Sequence, residues 1–418
     1  MHILEFKAYY KPEVAAGIEL DANTAEDLAA AGHYVHLHIP APSRGVAREI
    51  AKATPRKENL VEGRLRIRRY GMYREGKRFP QRLLRYGFCC LKQLWHGLWE
   101  KKVDLIFAGS TPPFQGLVCK LLKKIKKIPF VFNCQDIFPD SMVTAGMIGK
   151  DSTLCRVGNW ISDVTYRAAD KIIVISENMK ETLINRGVPA EKIAVVYNWV
   201  DENVIHPVKK ADNALMHQLQ IPEDAFTVVY AGNLGYAQAI DVILDAAVML
   251  KNAENIRFVI FGNGAMEQEV PQILQDKQLH NVSLYPLQPQ ERVSEVYSMG
   301  DACIVSCKEG TGSFAMPSKT WSIMGCGRPV LASFDPDTLL EEIVSNHGCG
   351  LFSRAGDGEA LAENIRKLAQ NPGACQSMGK NARTYIEENL TRKKCTKDII
   401  DLIEQTERAW KSDESIVH

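Results

Sequence analysis

Phe226-Thr227-Val228-Val229-Tyr230-Ala231-Gly232-Asn233-Leu234-Gly235-Tyr236 begins as a β-branched apolar run and ends in a glycine-bearing turn. A helical apolar pattern follows at once over residues 240–250. A buried strand that passes through a glycine turn into a helix is the repeating unit of a doubly wound parallel sheet. The unit recurs where Phe258-Val259-Ile260-Phe261 meets Gly262-Asn263-Gly264, and where Ala302-Cys303-Ile304-Val305 leads to Gly310-Thr311-Gly312-Ser313. Val282-Ser283-Leu284-Tyr285 and Pro329-Val330-Leu331-Ala332 complete that half. The first half carries comparable runs at residues 3–6, 34–39, 103–107, 130–132, 172–175 and 193–197. Strands alternating with helices predict two Rossmann-like α/β domains, each a doubly wound parallel sheet covered on both faces. The expected boundaries are 1–205 and 215–372, separated by a polar stretch. Residues 373–418 read as a helical tail that crosses back onto the first domain.

Composition is that of an ordinary globular chain of 418 residues with a formal net charge of +1. The charge is unevenly spread. Residues 64–102 hold 12 Lys/Arg against Glu75 and Glu100, so the rest of the chain is net acidic. Such asymmetry points to one anionic surface met at one place. Eleven cysteines without metal or redox spacing suggest structural thiols in a reducing compartment. The first residues lack the layout of a signal peptide and no apolar run approaches bilayer length. The expected location is therefore cytoplasmic.

Three loops of the second half suit an anion. Gly232, Asn233 and Gly235 follow one strand, and Gly262 and Asn263 follow another. Glycines there let backbone N–H groups approach a phosphate beside a helix N-terminus. Each of these alone also reads as an ordinary tight turn. The third loop, Gly310-Thr311-Gly312-Ser313-Phe314-Ala315-Met316-Pro317-Ser318-Lys319, is the most specific. Pro317 suits a first helical turn. Thr311, Ser313 and Ser318 bring hydroxyls, Gly312 a backbone donor, and Lys319 an ammonium. The macrodipole disfavours a lysine at that end of a helix, which argues for a bound anion over a merely capped helix. Asp335-Pro336-Asp337 reads as a turn rather than a metal pair. In the first half, Asp136 follows a strand, where it can orient a hydroxyl or act as a base; capping a helix before Pro139 is the alternative.

Leu84, Phe88, Leu91, Trp95 and Leu98 fall on one helical face, with Trp99 beside it. Arg64, Arg66, Arg68, Arg69, Arg74, Lys77 and Arg78 precede them. Tryptophans beside cations suit an anionic headgroup interface, so Arg64, Arg66, Arg68, Arg69, Trp95 and Trp99 are candidates for membrane or acceptor contact. The alternative is a helix packed on the first sheet beside a solvated basic loop.

Taken together, Ala30-Ala31-Gly32-His33-Tyr34-Val35, Val174-Ile175-Ser176-Glu177, Val196-Tyr197-Asn198-Trp199-Val200-Asp201, Tyr230-Ala231-Gly232-Asn233-Leu234-Gly235 and Pro317-Ser318-Lys319 with Met324-Gly325-Cys326-Gly327-Arg328-Pro329-Val330 resemble the retaining, two-domain GT-B glycosyltransferases of family 4. Gln135-Asp136-Ile137-Phe138-Pro139-Asp140-Ser141 is similar to the branch that builds bacterial O-antigens and capsules, nearest to N-acetylfucosamine transferases. The resemblance implies transfer of a sugar, in this branch an N-acetylated amino sugar, from a nucleotide diphosphate donor such as a UDP-sugar. The acceptor would be a saccharide on a lipid such as undecaprenyl diphosphate, at the cytoplasmic face of the inner membrane. It implies no metal and no cofactor, the nucleotide-sugar being a substrate. Gly232, Asn233, Gly235, Thr311, Gly312, Ser313, Ser318 and Lys319 would hold the diphosphate, with Lys319 and Asp136 catalytic. Gly262, Asn263, Leu287 and Ser322 would flank base and ribose. Two departures stand out. Asn233 and Gln238 occupy places where members carry cations, and Ser322 stands where a ribose-binding glutamate is usual, with Glu309 out of register.

Two rival classes are a nucleotide-sugar epimerase of the same architecture and a nucleic-acid binder using residues 64–102. An epimerase has less use for a basic aromatic stripe, and no nucleic-acid module is present.

Overall fold

The computed structural model describes residues 1–13, 15, 17–76, 79–144, 148–312 and 317–417. The chain forms two compact units, Met1–Asn198 with Lys393–His418, and Trp199–Arg392.

The first unit holds β1 (His2–Phe6), β2 (Tyr34–Pro40), β3 (Lys57–Leu60), β4 (Leu65–Tyr70), β5 (Leu105–Gly109), β6 (Phe130–Cys134), β7 (Lys171–Val174) and β8 (Ile193–Val195). They form one sheet in the order β3-β4-β2-β1-β5-β6-β7-β8. Only β3 and β4 pair antiparallel among these described strands. The central runs are apolar because both faces are covered: Leu4, Phe6, Ile106, Phe130 and Ile172 are fully buried against helices. The second unit holds β9 (Phe226–Asn233), β10 (Ile256–Asn263), β11 (Val282–Tyr285), β12 (Ala302–Ser306), β13 (Val330–Phe334) and β14 (Gly350–Arg354). Its sheet is parallel, in the order β11-β10-β9-β12-β13-β14. Val228, Tyr230, Phe258, Ile260 and Ile304 lie in its core. The two parallel-sheet α/β units are the fold class expected.

Three strands went unanticipated. β14 is short. β4 lies in the segment whose alternative reading is a solvated basic loop, and β3 lies just before it. In β4 the alternation Leu65-Arg66-Ile67-Arg68 buries the two aliphatics and exposes the two arginines, a strand pattern hidden by its charge.

The two terminal helices go to different units. Helix Pro372–Asn389 belongs to the second, and helix Arg392–Val417 lies almost entirely in the first. There His33 Nε2 meets Glu404 Oε1 at 3.2 Å, and the Lys123 ammonium sits 5.0 Å from the Trp410 ring centroid. All eleven cysteines are buried and outside any disulfide. No helix among the described residues is long and apolar enough to cross a membrane.

Candidate functional site

In the second sheet β9, β10 and β11 run outward one way, and β12, β13 and β14 the other. The switch point therefore lies between β9 and β12, where doubly wound sheets receive ligands at the strands' carboxyl ends. β9 pairs with β10 along its whole length, through Asn233↔Asn263. With β12 it pairs only at Val228↔Ala302 and Val229↔Cys303. Beyond those residues the two strands part, and the loops that follow them flank the opening.

Lys319 lies in the first turn of helix Ser318–Gly325. Its stem is half-buried but its ammonium nitrogen is fully buried and has no hydrogen-bond partner among the described residues. The nitrogen stands 4.0 Å from the centroid of the Tyr230 ring. A Cβ on Gly232 would come within 2.7 Å of it, so a side chain there would push the lysine end aside, and φ +150 strains any residue but glycine. Tyr230 is itself buried, and its hydroxyl donates to the Asn233 carbonyl at 2.8 Å. Burial lowers the Lys319 pKa from 10.5 to about 8, with no charged neighbour contributing. A buried cation balanced only by an aromatic face is costly to keep and available to an anion.

The glycine loop is arranged differently from the expected anion cradle. The Asp335 carboxylate accepts from the Gly310 N–H at 2.9 Å and from the Gly312 N–H at 2.6 Å. The Thr311 hydroxyl donates to the Lys308 carbonyl at 2.6 Å, as does its N–H at 3.1 Å. Thr311 and Gly312, expected as diphosphate donors, thus spend these donors inside the protein, Thr311 on the Lys308 carbonyl and Gly312 on the Asp335 carboxylate. Asp335, read as a turn residue, is the clamp of this loop. Ser313 lies outside the described residues. Ser318 is exposed at the helix start.

Asn233 and Gln238, the positions lacking the cations, bond each other through Asn233 Nδ2 and Gln238 Oε1 at 3.0 Å. Gly235 is buried beneath that pair. Gly262 packs so closely on β9 that a Cβ would approach the Gly232 carbonyl to 2.5 Å. Asn263 is exposed at the end of β10, and Leu287 is 46% exposed just after β11. Ser322 is half-buried one turn beyond Lys319, on the same side of its helix. These positions gather along the carboxyl ends of neighbouring strands. Glu309 is exposed in its turn.

In the first unit, Asp136 stands in the loop after β6. It is not the cap of the next helix, which starts four residues later at Asp140. Although its side chain is exposed, the surrounding protein desolvates the carboxyl and raises its pKa above the ordinary value. Asp140 is paired with Arg186, whose Nη2 reaches both oxygens at 2.7 Å.

The basic aromatic segment divides. Arg66 and Arg68 are exposed, and Arg64 is half-buried. Arg69 is buried, donating to the Pro55 and Lys11 carbonyls at 2.9 Å and pairing with Glu58. Arg69 is therefore an internal tie and faces no membrane. In helix Phe79–Trp99 the apolar stripe does not pack on the sheet. Leu91, Trp95 and Trp99 are 63%, 60% and 67% exposed, while Arg85 and Gln93 are buried.

Sequence reasoning missed Tyr230, Asp335 and Arg85 as members of such arrangements. Tyr230 sat in an apolar run and Asp335 in a turn signature, and neither pattern encodes a partner distant in sequence.

Comparison with known proteins agrees with the fold. Residues 22–199 match the glycosyl transferase 4-like domain, and residues 212–385 match the glycosyl transferases group 1 domain. The chain carries these two glycosyltransferase domains in that order, on a GT-B fold. It is 25% identical over 409 residues to the putative colanic acid biosynthesis glycosyl transferase WcaI of Escherichia coli, covering 96% of this chain and 99% of that one. It is 25% identical over 293 residues to the probable glycosyltransferase WbjE of Pseudomonas aeruginosa, covering 70% and 72%. Among solved structures, sucrose-phosphate synthase from Thermosynechococcus elongatus superposes with a TM-score of 0.73 at 18% identity, over 98% of this chain and 99% of that one. Anabaena HepE in complex with UDP and glucose does so at 0.72 and 16%, over 97% and 100%.

Proposed function

We propose that this protein transfers an N-acetylated amino sugar from a UDP-linked donor to a saccharide on a lipid carrier of the undecaprenyl diphosphate kind, in the synthesis of a surface polysaccharide. The observation that carries the reading is the Lys319 ammonium at the switch point of the second sheet, buried and without a hydrogen-bond partner among the described residues. A nucleoside diphosphate supplies the anion that this cation lacks. The names of relatives in colanic acid and capsular polysaccharide synthesis support the pathway class, and HepE's complex with UDP supports the base.

The chemistry follows from charge. The bond between the sugar's anomeric carbon and the phosphate oxygen breaks, and its electrons go to the phosphate. Lys319 stabilises that developing charge with a preorganised cation, commonly the largest catalytic contribution. The acceptor hydroxyl oxygen bonds to the anomeric carbon on the same face, and its proton passes to the departing phosphate. The reaction thus retains configuration and requires neither a metal nor a cofactor. Asp136 orients the acceptor hydroxyl. The exposed arginines Arg66 and Arg68 and the exposed tryptophans Trp95 and Trp99 rest on the anionic cytoplasmic face of the membrane.

The test is incubation with sugar-labelled UDP-N-acetylhexosamines and a lipid-linked saccharide. Label should move into the organic phase with release of UDP. Absence of transfer together with absence of any UDP-induced rise in melting temperature would sink the proposal. An isomerised sugar formed without acceptor would assign the epimerase reaction instead.

A further inference from the structure

The first unit carries a second cationic site that the donor chemistry does not use. It lies in the loops after β1 and β2, at the carboxyl ends of parallel strands. Arg85 projects there from the buried side of helix Phe79–Trp99 and is 2% exposed. Its Nη2 donates to Ser43 Oγ at 2.9 Å, while its Nη1 has no acceptor among the described residues. Its guanidinium lies 5.8 Å from the Tyr9 ring centroid, and that of Arg44 lies 5.1 Å from the same ring. Arg74 Nη2 reaches the Ser43 carbonyl at 3.4 Å and the Val46 carbonyl at 2.9 Å. The nearest carboxylate bonded to this cluster, Glu13, is engaged by the N–H groups of Tyr10, Ser43 and Arg44 at 3.2, 2.8 and 2.9 Å. Glu75 pairs with Arg82. Glu13 also accepts from the Ser43 hydroxyl at 3.3 Å, and Glu75 lies by Tyr9, so two carboxylates face Arg44, Arg74, Arg82 and Arg85 and positive charge is in excess; a buried guanidinium without a full set of acceptors is unfavourable.

An anion removes that cost, and forked guanidiniums match phosphate oxygens best. The neighbouring surface narrows the ligand further. Tyr73, next to Arg74, packs edge-on against Phe88 at 6.1 Å between centroids. From Phe88 the exposed apolar face continues through Leu91 and Trp95. A phosphate site that opens onto an apolar strip suits a ligand that is charged at one end and hydrocarbon at the other.

We infer that Arg44, Arg74 and Arg85 bind the phosphoryl group of the lipid that carries the acceptor, with its hydrocarbon along Phe88, Leu91 and Trp95. This rests on the lipid-linked acceptor proposed above. The test uses the full chain and farnesyl diphosphate as a soluble probe, followed by tryptophan fluorescence, with UDP binding measured in parallel. Arg44→Ala and Arg74→Ala alter exposed side chains and should each weaken farnesyl diphosphate at least tenfold while UDP affinity stays within twofold. Farnesol and pyrophosphate should each bind at least tenfold more weakly than the joined molecule. Affinities unchanged by both substitutions, or farnesol binding as well as its diphosphate, overturn the inference. So does a dependence on Arg44 and Arg74 that appears only with phosphatidylglycerol vesicles, since that would assign a bilayer headgroup. Failure of wild-type protein to bind UDP speaks against the proposed transfer reaction and leaves the arginine result readable by itself.

Discussion

Replacing Lys319 by Met separates a ligand-binding lysine from a structural one, because the two roles predict opposite signs for stability. The Lys319 nitrogen is buried without a hydrogen-bond partner among the described residues, and burial holds its pKa at about 8 in place of 10.5. The unfolded chain therefore binds more protons between pH 8 and 10.5, so Lys319 makes the protein more stable as pH rises through that window. Below pH 8 the full penalty is present. At 1.36 kcal/mol per pH unit it amounts to about 3 kcal/mol at most, and the half-exposed stem reduces it to roughly 1–3 kcal/mol. Methionine fills the same space, keeps the contact with the Tyr230 ring and carries no charge. At pH 7 the variant should therefore melt higher, by roughly 2–4 °C for each kcal/mol in a unit of this size. The gain should shrink as pH rises from 8 towards 10.5 and be mostly gone at pH 10. UDP should bind the variant more weakly by about 1.5–3 kcal/mol, the worth of a hydrogen bond to a charged group. That is roughly a 10- to 150-fold rise in dissociation constant. The assay is thermal melting at pH 7 and pH 10, with and without UDP. A variant that melts lower at pH 7 and binds UDP within twofold of wild type would refute the assignment of Lys319 to the donor.

Two further outcomes follow from the same geometry. Asp335→Ala leaves the Gly310 and Gly312 N–H groups without their acceptor; with about 1.5–3 kcal/mol for each charge-assisted bond, melting should fall by several degrees and proteolysis should concentrate near residue 310, whereas an unchanged melt would remove Asp335 as the clamp. Arg66→Glu with Arg68→Glu should reduce flotation with phosphatidylglycerol vesicles by about 2 kcal/mol or more, roughly 30-fold, at about 1 kcal/mol per basic residue, while reversing the buried Arg69 should instead unfold the β3–β4 edge; unchanged flotation of the Arg66/Arg68 variant would take this surface off the membrane.

The alternation of apolar runs with helical stretches was legible because it is local. Each run from 226–230 to 329–332 lies in a β-strand, and the glycine turns lie where parallel strands end. β4 escaped because its alternation was written in arginines, and charge density masked period two. The candidate site was legible only as a set of loops. Lys319 was singled out from its helix position, and the structure adds the Tyr230 ring beneath its ammonium and the absence of a hydrogen-bond partner among the described residues. Thr311 and Gly312 were assigned from their types, and the structure gives their donors to Asp335 and Lys308.

The sequence by itself determined the fold class, the two halves, the strand-end loops and the charge asymmetry, since propensity, periodicity and composition act over a few residues. Tertiary structure alone decided which donors are already satisfied, which face of helix Phe79–Trp99 meets solvent, and that Arg69 is internal while Arg66 is exposed. Those outcomes depend on burial and on partners 23 to 89 residues apart, as between Gly312 and Asp335 or Tyr230 and Lys319. Only folding brings such groups into contact, and pairwise electrostatics and desolvation act at contact distance.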